Sequence, residues 1–253
     1  LSDAVNYPHF YRVVPSDAFQ GDALADVISA AGLRNTAILS MTNAYGAGVG
    51  DSFAAAFEAK EGHQICTRVP YSTDGFSAST VSDAVTTVLS GAADGTACDS
   101  VLLASYSPDG AQMLAGLRSA QSMIPAFGPD GMAGEAVVNS LTEFTNQTEI
   151  LHGLVATKPA GTGVSSGDFP QRCADDSDCS EGIFTSELYD AVTMLGAAAM
   201  MEDGKNMGTH VPMVGSGNGH TGASGTHVFS SNGDVPGEVY TYSVGTFYDV
   251  PTY

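Results

Sequence analysis

Positive charge is scarce in this sequence: 8 lysines and arginines stand against 28 aspartates and glutamates in 253 residues, a formal net charge of −20. Such a surface repels phosphate backbones and anionic lipid, so no nucleic-acid partner and no peripheral membrane docking are expected. No apolar run reaches membrane-spanning length; the longest, Ala191 to Met201, has Gly196 inside it. A basic segment leading into an apolar one is also missing from the start, so Leu1 is read as lying inside a mature protein. Catalytic signatures are absent as well. The string Gly163-Val-Ser-Ser-Gly167 falls in a Gly- and Ser-rich stretch read as a loop rather than as the strand-to-helix elbow of a nucleophile, there is no phosphate loop and no Cys and His in a plausible pairing, and Gly46-Ala-Gly48-Val-Gly50 imitates a dinucleotide motif without its full pattern. The expectation is a non-enzyme without a cofactor.

Cysteines number four, too few for a disulfide scaffold but an even count. Cys173 and Cys179 flank a short polar loop, and Cys66 and Cys98 sit near the starts of two predicted strands. Both pairs are expected to be oxidised, which places the protein outside the cytoplasm, periplasmic or extracellular.

Apolar residues make up 43% of the chain, which suffices for a globular core. Strands and helices alternate. Apolar positions Leu24, Val27, Ile28 and Ala31 recur at helical spacing after a polar cap at Pro15-Ser16-Asp17, and Thr36 to Ser40 reads as a buried strand. Met41 to Gly50 reads as a loop leading into a helix from Asp51 to Lys60; a strand follows over Gln64 to Pro70 and a helix over Thr80 to Leu89, with Thr80 and Asp83 at capping-box spacing. Ser100 to Ala104, Pro125 to Gly128 and Gly153 to Thr157 are further strands, with helices over Ala111 to Ser122, Glu135 to Thr145 and Ser186 to Glu202 between or after them. Stretches 158–181 and 204–226 read as long surface loops, and Glu238 to Val244 and Phe247 to Val250 as closing strands. This order predicts an α/β fold with a parallel sheet covered on both faces and ligands at the strands' carboxyl ends.

Several stretches agree with one family. Leu1-Ser2-Asp3, Tyr7 to Asp17 and Gln20 resemble the hinge region of type I solute-binding proteins, the fold shared by amino-acid-binding proteins of bacterial importers and the extracellular domains of metabotropic glutamate and calcium-sensing receptors. Glu187-Leu-Tyr-Asp-Ala-Val192 resembles a helix of the family's returning lobe, and Val228 to Val235 its Phe-Asp-x-x-Gly turn. The resemblance implies a type I periplasmic-binding-protein clamshell of two doubly wound parallel-sheet lobes, the first incomplete in this chain. Residues 1–17 would end lobe one and form the hinge, 18–153 lobe two, 154–236 the returning part of lobe one and 237–253 the closing strands. The rest of lobe one would belong to a missing N-terminal segment or a separate chain.

Holding a zwitterionic amino acid requires carboxylate and carbonyl oxygens for the ammonium group, and an aromatic face adds cation–π attraction. Asp17, Tyr45 and Asp130 match, position by position, motifs that bear amino-group contacts in the amino-acid-binding branch, and Ser105 and Tyr106 lie on a loop whose backbone faces ligand there. Each also has a plainer explanation: Asp17 as a helix cap, Tyr45 as a loop cover, Asp130 as a turn former. Glu135 stands where the glutamate-receptor branch has a basic residue, which argues against an acidic ligand.

In Cys173 to Glu181, the carboxylates Asp175, Asp176, Asp178 and Glu181 could ligate calcium, but the full spacing of an EF-hand loop is lacking and a solvated loop pinned by a disulfide accounts for them better. His210, His220 and His227 lack compact zinc spacing. Asn146-Gln-Thr148 is a glycosylation sequon, relevant in a eukaryotic host. The expected function is binding of a small polar solute, an amino acid, in the cleft between two lobes, for ABC-type import through a membrane permease or for sensing by a receptor. The alternative is a structural or interaction module that kept the fold and lost the pocket.

Overall fold

The structure is a computed structural model and describes residues 3–159, 169–176, 179, 184–235 and 239–243. The chain divides into two compact units, residues 17–158 with 240–253, and residues 1–16 with 159–239.

The first unit is built on a six-stranded sheet of order β2-β1-β3-β4-β5-β8. Strands β1 (Asn35–Met41), β2 (Gln64–Tyr71), β3 (Ser100–Ala104), β4 (Ala126–Gly128) and β5 (Leu154–Pro159) run parallel, and β8 (Val239–Ser243) lies beside β5. Successive side chains of a strand point to opposite faces, so apolar runs feed two cores at once. Ala37, Leu39 and Met41 of β1 and Val101 and Leu103 of β3 pack on one face with α3 (Ala78–Ser90) and α4 (Ser107–Ser119). Ile38, Leu102 and Ala104 pack on the other with α1 (Asp17–Ala30) and α2 (Ala44–Glu58), where Phe53 and Phe57 are fully buried. Each such large side chain contributes about 1.5–3 kcal/mol of burial. Short helices α5 (Glu135–Asn139) and α6 (Gln147–Leu151) close the α3–α4 side. A disulfide joins Cys66 to Cys98 across a Cα separation of 5.7 Å, and Cys66 lies in the core on that side.

Several boundaries differ from the sequence expectation, each for a local reason. Helix α2 starts at Ala44, not Asp51, because Asn43 caps it by accepting a hydrogen bond from the Gly46 N–H at 2.9 Å. Gly46 is there for close packing rather than for a turn: a Cβ at that position would lie 2.5 Å from the Met41 carbonyl oxygen. Helix α3 starts at Ala78, with Ser77 N–H donating to Thr80 Oγ1 at 3.3 Å, so Thr80 answers to Ser77 and not to Asp83. Helix α4 begins at Ser107 with Pro108 in its first turn, where the missing N–H costs nothing. Helix α5 stops at Asn139, well short of Thr145. Asp17 is the first residue of α1, so Ser16 precedes the helix and Asp17 is the acid of its first turn.

The second unit contains α7 (Phe169–Ala174), α8 (Thr185–Met201), α9 (Met207–Val214) and a two-stranded antiparallel ribbon, β6 (His220–Thr221) with β7 (Thr226–His227). The stretch 204–226 is therefore not a continuous loop, and α7 lies within the stretch expected to be irregular before Glu181. Cys173 and Cys179 are joined by a disulfide. Arg12 pairs with Asp234 at 2.6 Å and its N–H donates to the Gly233 carbonyl at 3.0 Å. Gly233 has φ of 79°, and a Cβ there would run into the Phe10 carbonyl, which accounts for glycine in the turn. The predicted strand over 247–250 lies outside the described residues.

At the heart of this unit Asp190 is fully buried. Its carboxylate accepts hydrogen bonds from the Ala223 and Ser224 N–H groups at 2.5 and 2.7 Å and from Ser224 Oγ at 2.6 Å, and it meets His227 Nε2 at 2.9 Å. Burial opposes the charge, but Ser224, His227 and these N–H groups together hold the carboxyl below its usual pKa. One side chain of α8 thus fixes the β6–β7 ribbon.

Candidate functional site

In the first unit the sheet order reverses between β1 and β3: β2 lies to one side of β1, and β4 and β5 follow β3 on the other. The crevice at the carboxyl ends of such strands is where open α/β sheets place ligands. Tyr45, in the first turn of α2 after β1, Ser105 and Tyr106 after β3, and Asp130 after β4 all come from that edge.

The Tyr45 hydroxyl donates to Asp130 Oδ1. The Gly131 N–H donates to the same hydroxyl and to Asp130 Oδ1, both at 3.0 Å, and the Asp130 N–H donates to Gln20 Oε1 at 3.2 Å. Ser107 Oγ donates to the Gly131 carbonyl at 2.6 Å, pinning the turn Asp130–Met132 to the start of α4. Burial pushes the Tyr45 phenol well above its usual pKa, the charge of Asp130 and its hydrogen bond add to the rise, the Gly131 N–H opposes it, and the charge of Asp17 adds a little more. Tyr45 is therefore a neutral donor, and Asp130 keeps its second oxygen without a hydrogen bond among the described residues. Tyr106 stacks on Tyr45, ring centroids 4.7 Å apart and planes within 10°, and 47% of its surface is exposed. A carboxylate oxygen beside an exposed aromatic face is what an ammonium group requires.

Ser105 is buried, and its Oγ lies 2.7 Å from the Tyr71 hydroxyl. Its side chain supports this edge from below rather than facing out of it. Tyr45 and Asp130, expected on two loops, sit instead on a helix turn and a 3-10 turn, which fixes both more firmly than loops would. Asp17 acts on this group through its charge, from the first turn of α1.

Sequence reasoning missed Tyr71, the partner of Ser105; an aromatic residue closing β2 was the available signal, but it reads equally well as a core side chain.

Of the calcium candidates, Asp175 and Asp176 fall within the described residues. Asp176 Oδ1 accepts from the Cys179 N–H at 3.2 Å, a turn contact, and Asp178 and Glu181 lie outside the described residues. Among the described residues, no group of His, Cys, Asp and Glu is arranged to hold a metal ion. His220 and His227 face each other across the β6–β7 ribbon, and His227 is committed to Asp190. Among the described residues, no helix is long and apolar enough to cross a membrane.

The family described as the receptor family ligand binding region matches residues 1–244. No protein of curated function matches the chain by sequence. Among solved structures, a leucine binding protein from Thermotoga maritima superposes with a TM-score of 0.74 at 18% identity, over 93% of this chain and 64% of that one. An ABC-transporter solute binding protein from R. palustris in complex with benzoate gives 0.73 at 14% identity, over 95% and 63%. A type 1 periplasmic binding protein from Bordetella pertussis gives 0.69 at 14%, over 98% and 70%. The chain thus spans less than two thirds of the length of the first two, and the likeness establishes a shared fold.

Proposed function

The chain belongs to the family of the receptor ligand binding region and has the fold of type I periplasmic binding proteins, and on that premise we propose that it binds a small polar solute, an amino acid, at the carboxyl edge of its sheet. The observation that carries this reading is the cluster of Tyr45, Asp130 and Tyr106: a carboxylate fixed through one oxygen, a neutral phenol that donates to it, and an exposed aromatic face. Proteins of this fold take chemically different solutes, leucine in one case and benzoate in another, so the ligand class has to come from the residues at the edge. Asp130 favours a ligand with an ammonium group, and a purely anionic solute would meet repulsion there. Binding, rather than catalysis, is the role. Delivery to a membrane permease of the ABC type and presentation to a receptor are the two uses such binding serves, and the paired cysteines suit a periplasmic or extracellular setting.

The test is the melting temperature of the native protein across a panel of free amino acids. A true ligand at about a hundred times its dissociation constant stabilises the native state by about 2.7 kcal/mol, and one or a few amino acids are expected to raise the melting point accordingly. No shift with any amino acid would favour the alternative, an interaction module that kept the fold and lost the pocket.

A further inference from the structure

Gln20 is the one polar side chain among the buried residues of α1, only 3% exposed, and it stands at the head of the helix's apolar stripe of Leu24, Ala25 and Ile28. Its amide makes a single hydrogen bond among the described residues: Oε1 accepts from the Asp130 N–H at 3.2 Å, across 110 residues of sequence. A backbone N–H can only donate, so the amide oxygen has to face it, and this fixes which way the glutamine points. An amide costs more to bury than the side chain of a leucine or methionine would, and the packing of α1 asks for no polar group there. What the buried amide supplies is the bond to Asp130.

Helix α1 gives that bond a firm support. Ser52 Oγ donates to the Ala18 carbonyl at 2.9 Å, and a Cβ on Gly21 would lie 2.6 Å from the Phe53 nitrogen, so the first turns of α1 rest directly on the backbone of α2. Helix α2 also carries Tyr45. Asp130 is therefore held twice by one helix pair, at its N–H from Gln20 on α1 and at Oδ1 from Tyr45 on α2. The turn has little room elsewhere, because a Cβ on Gly131 would lie 2.6 Å from the Ser105 carbonyl oxygen and 3.1 Å from Tyr106 Cδ1.

We infer, resting on the amino-acid reading of this edge, that Gln20 is a positioning residue of the site: it fixes the backbone of Asp130 so that the carboxylate, tied through one oxygen to Tyr45, presents the other to an ammonium group at a set place. Tyr45 alone restrains only the end of the side chain. With the N–H bonded as well, main chain and carboxylate are both restrained, and Asp130 cannot shift without giving up one of the two bonds. A charge-assisted hydrogen bond depends steeply on geometry, so a displacement of ~0.5 Å is enough to weaken it.

A double-mutant cycle separates positioning from packing. Wild type, Gln20→Met, Asp130→Asn and the double variant are titrated calorimetrically, well below their melting temperatures, with each of the twenty free amino acids that raises the wild-type melting point. Methionine keeps the length and shape of glutamine and removes the acceptor. Gln20→Met is expected to weaken binding about threefold to tenfold, the scale of one hydrogen bond. In the Asp130→Asn background, where the charge to be positioned is gone, the same change is expected to cost less than about twofold. Wild-type affinity in folded Gln20→Met overturns the assignment, and so does a loss of equal size in both backgrounds; either result leaves amino-acid binding intact. If Gln20→Met does not fold, hydrogen exchange in the wild type decides: the assignment requires a protected Asp130 N–H, and exchange at the rate of an exposed amide overturns it. If none of the twenty amino acids shifts the wild type, the amino-acid reading itself fails, and this inference with it.

Discussion

In residues 17–158 apolar side chains fill both sides of one sheet, with Phe53, Phe57 and Phe127 on the α1–α2 side and Leu103, Met113 and Leu114 on the other. In residues 1–16 and 159–239 the described buried apolar residues are Met194, Ala198, Ala223 and Val235, matched by as many buried polar ones, Glu187, Asp190, Ser224 and His227. On α8, Leu188, Val192 and Leu195 are half or more exposed. The first unit is ordered by non-directional burial, which tolerates small changes in any one contact. The second is ordered by a few directional bonds to one carboxylate, so its order depends on a single residue. That contrast suits the division of roles proposed above, because the unit with the denser core is the one that holds Tyr45 and Asp130 in a fixed geometry.

Asp190→Ala and Phe53→Ala separate the two modes, and both are expected to cost about 3–5 kcal/mol, the first by leaving buried partners unpaired and the second by opening a cavity. Hydrogen exchange should report the first loss in residues 220–227 and the second along β1, β3 and α2. Their pH dependence differs. The folded Asp190 carboxyl lies below its usual pKa, so its stabilisation is fully present above the unfolded value of about 3.9 and is lost as pH falls through the lower folded value. The gap between wild type and Asp190→Ala should therefore shrink at acid pH, whereas the Phe53→Ala gap should not. Equal gaps at both pH values would break the comparison.

Gly46→Ala is expected to cost about 1–3 kcal/mol, because the new methyl meets the Met41 backbone and either that strand end or the start of α2 has to move. Since Tyr45 precedes Gly46, the variant should also weaken ligand binding, as read by titration. At the bottom of the scale, Asp26→Ala removes an exposed ion pair with Lys60 and should change stability by less than about 1 kcal/mol in chemical denaturation.

How far the sequence revealed this architecture depended on how local the cause was. The runs Thr36 to Ser40 and Ser100 to Ala104 read as strands because their burial on both faces leaves continuous apolar segments. The start of α2 was hidden because Gly46, Gly48 and Gly50 look like a loop, and only the approach of Met41 shows that a helix packs there. Helix α9 was hidden in a glycine-rich stretch with Pro212 inside it. In the site, Tyr45, Asp130 and Tyr106 stood out through the family resemblance and fall within one cluster. Tyr71 did not, because its contact with Ser105 arises only when β1 holds the ends of β2 and β3 on its two sides, a register that no local pattern encodes.

The most direct test of amino-acid binding through Asp130 is calorimetric titration of wild type and Asp130→Asn with the amino acid that raises the melting temperature most. Asparagine keeps an acceptor for Tyr45 and removes only the charge. The account predicts a loss of affinity of about tenfold to a hundredfold in the variant, with the ligand-free melting temperature unchanged. Equal affinity in both proteins would show that the ammonium group is held elsewhere and would contradict the assignment of this edge as the binding site.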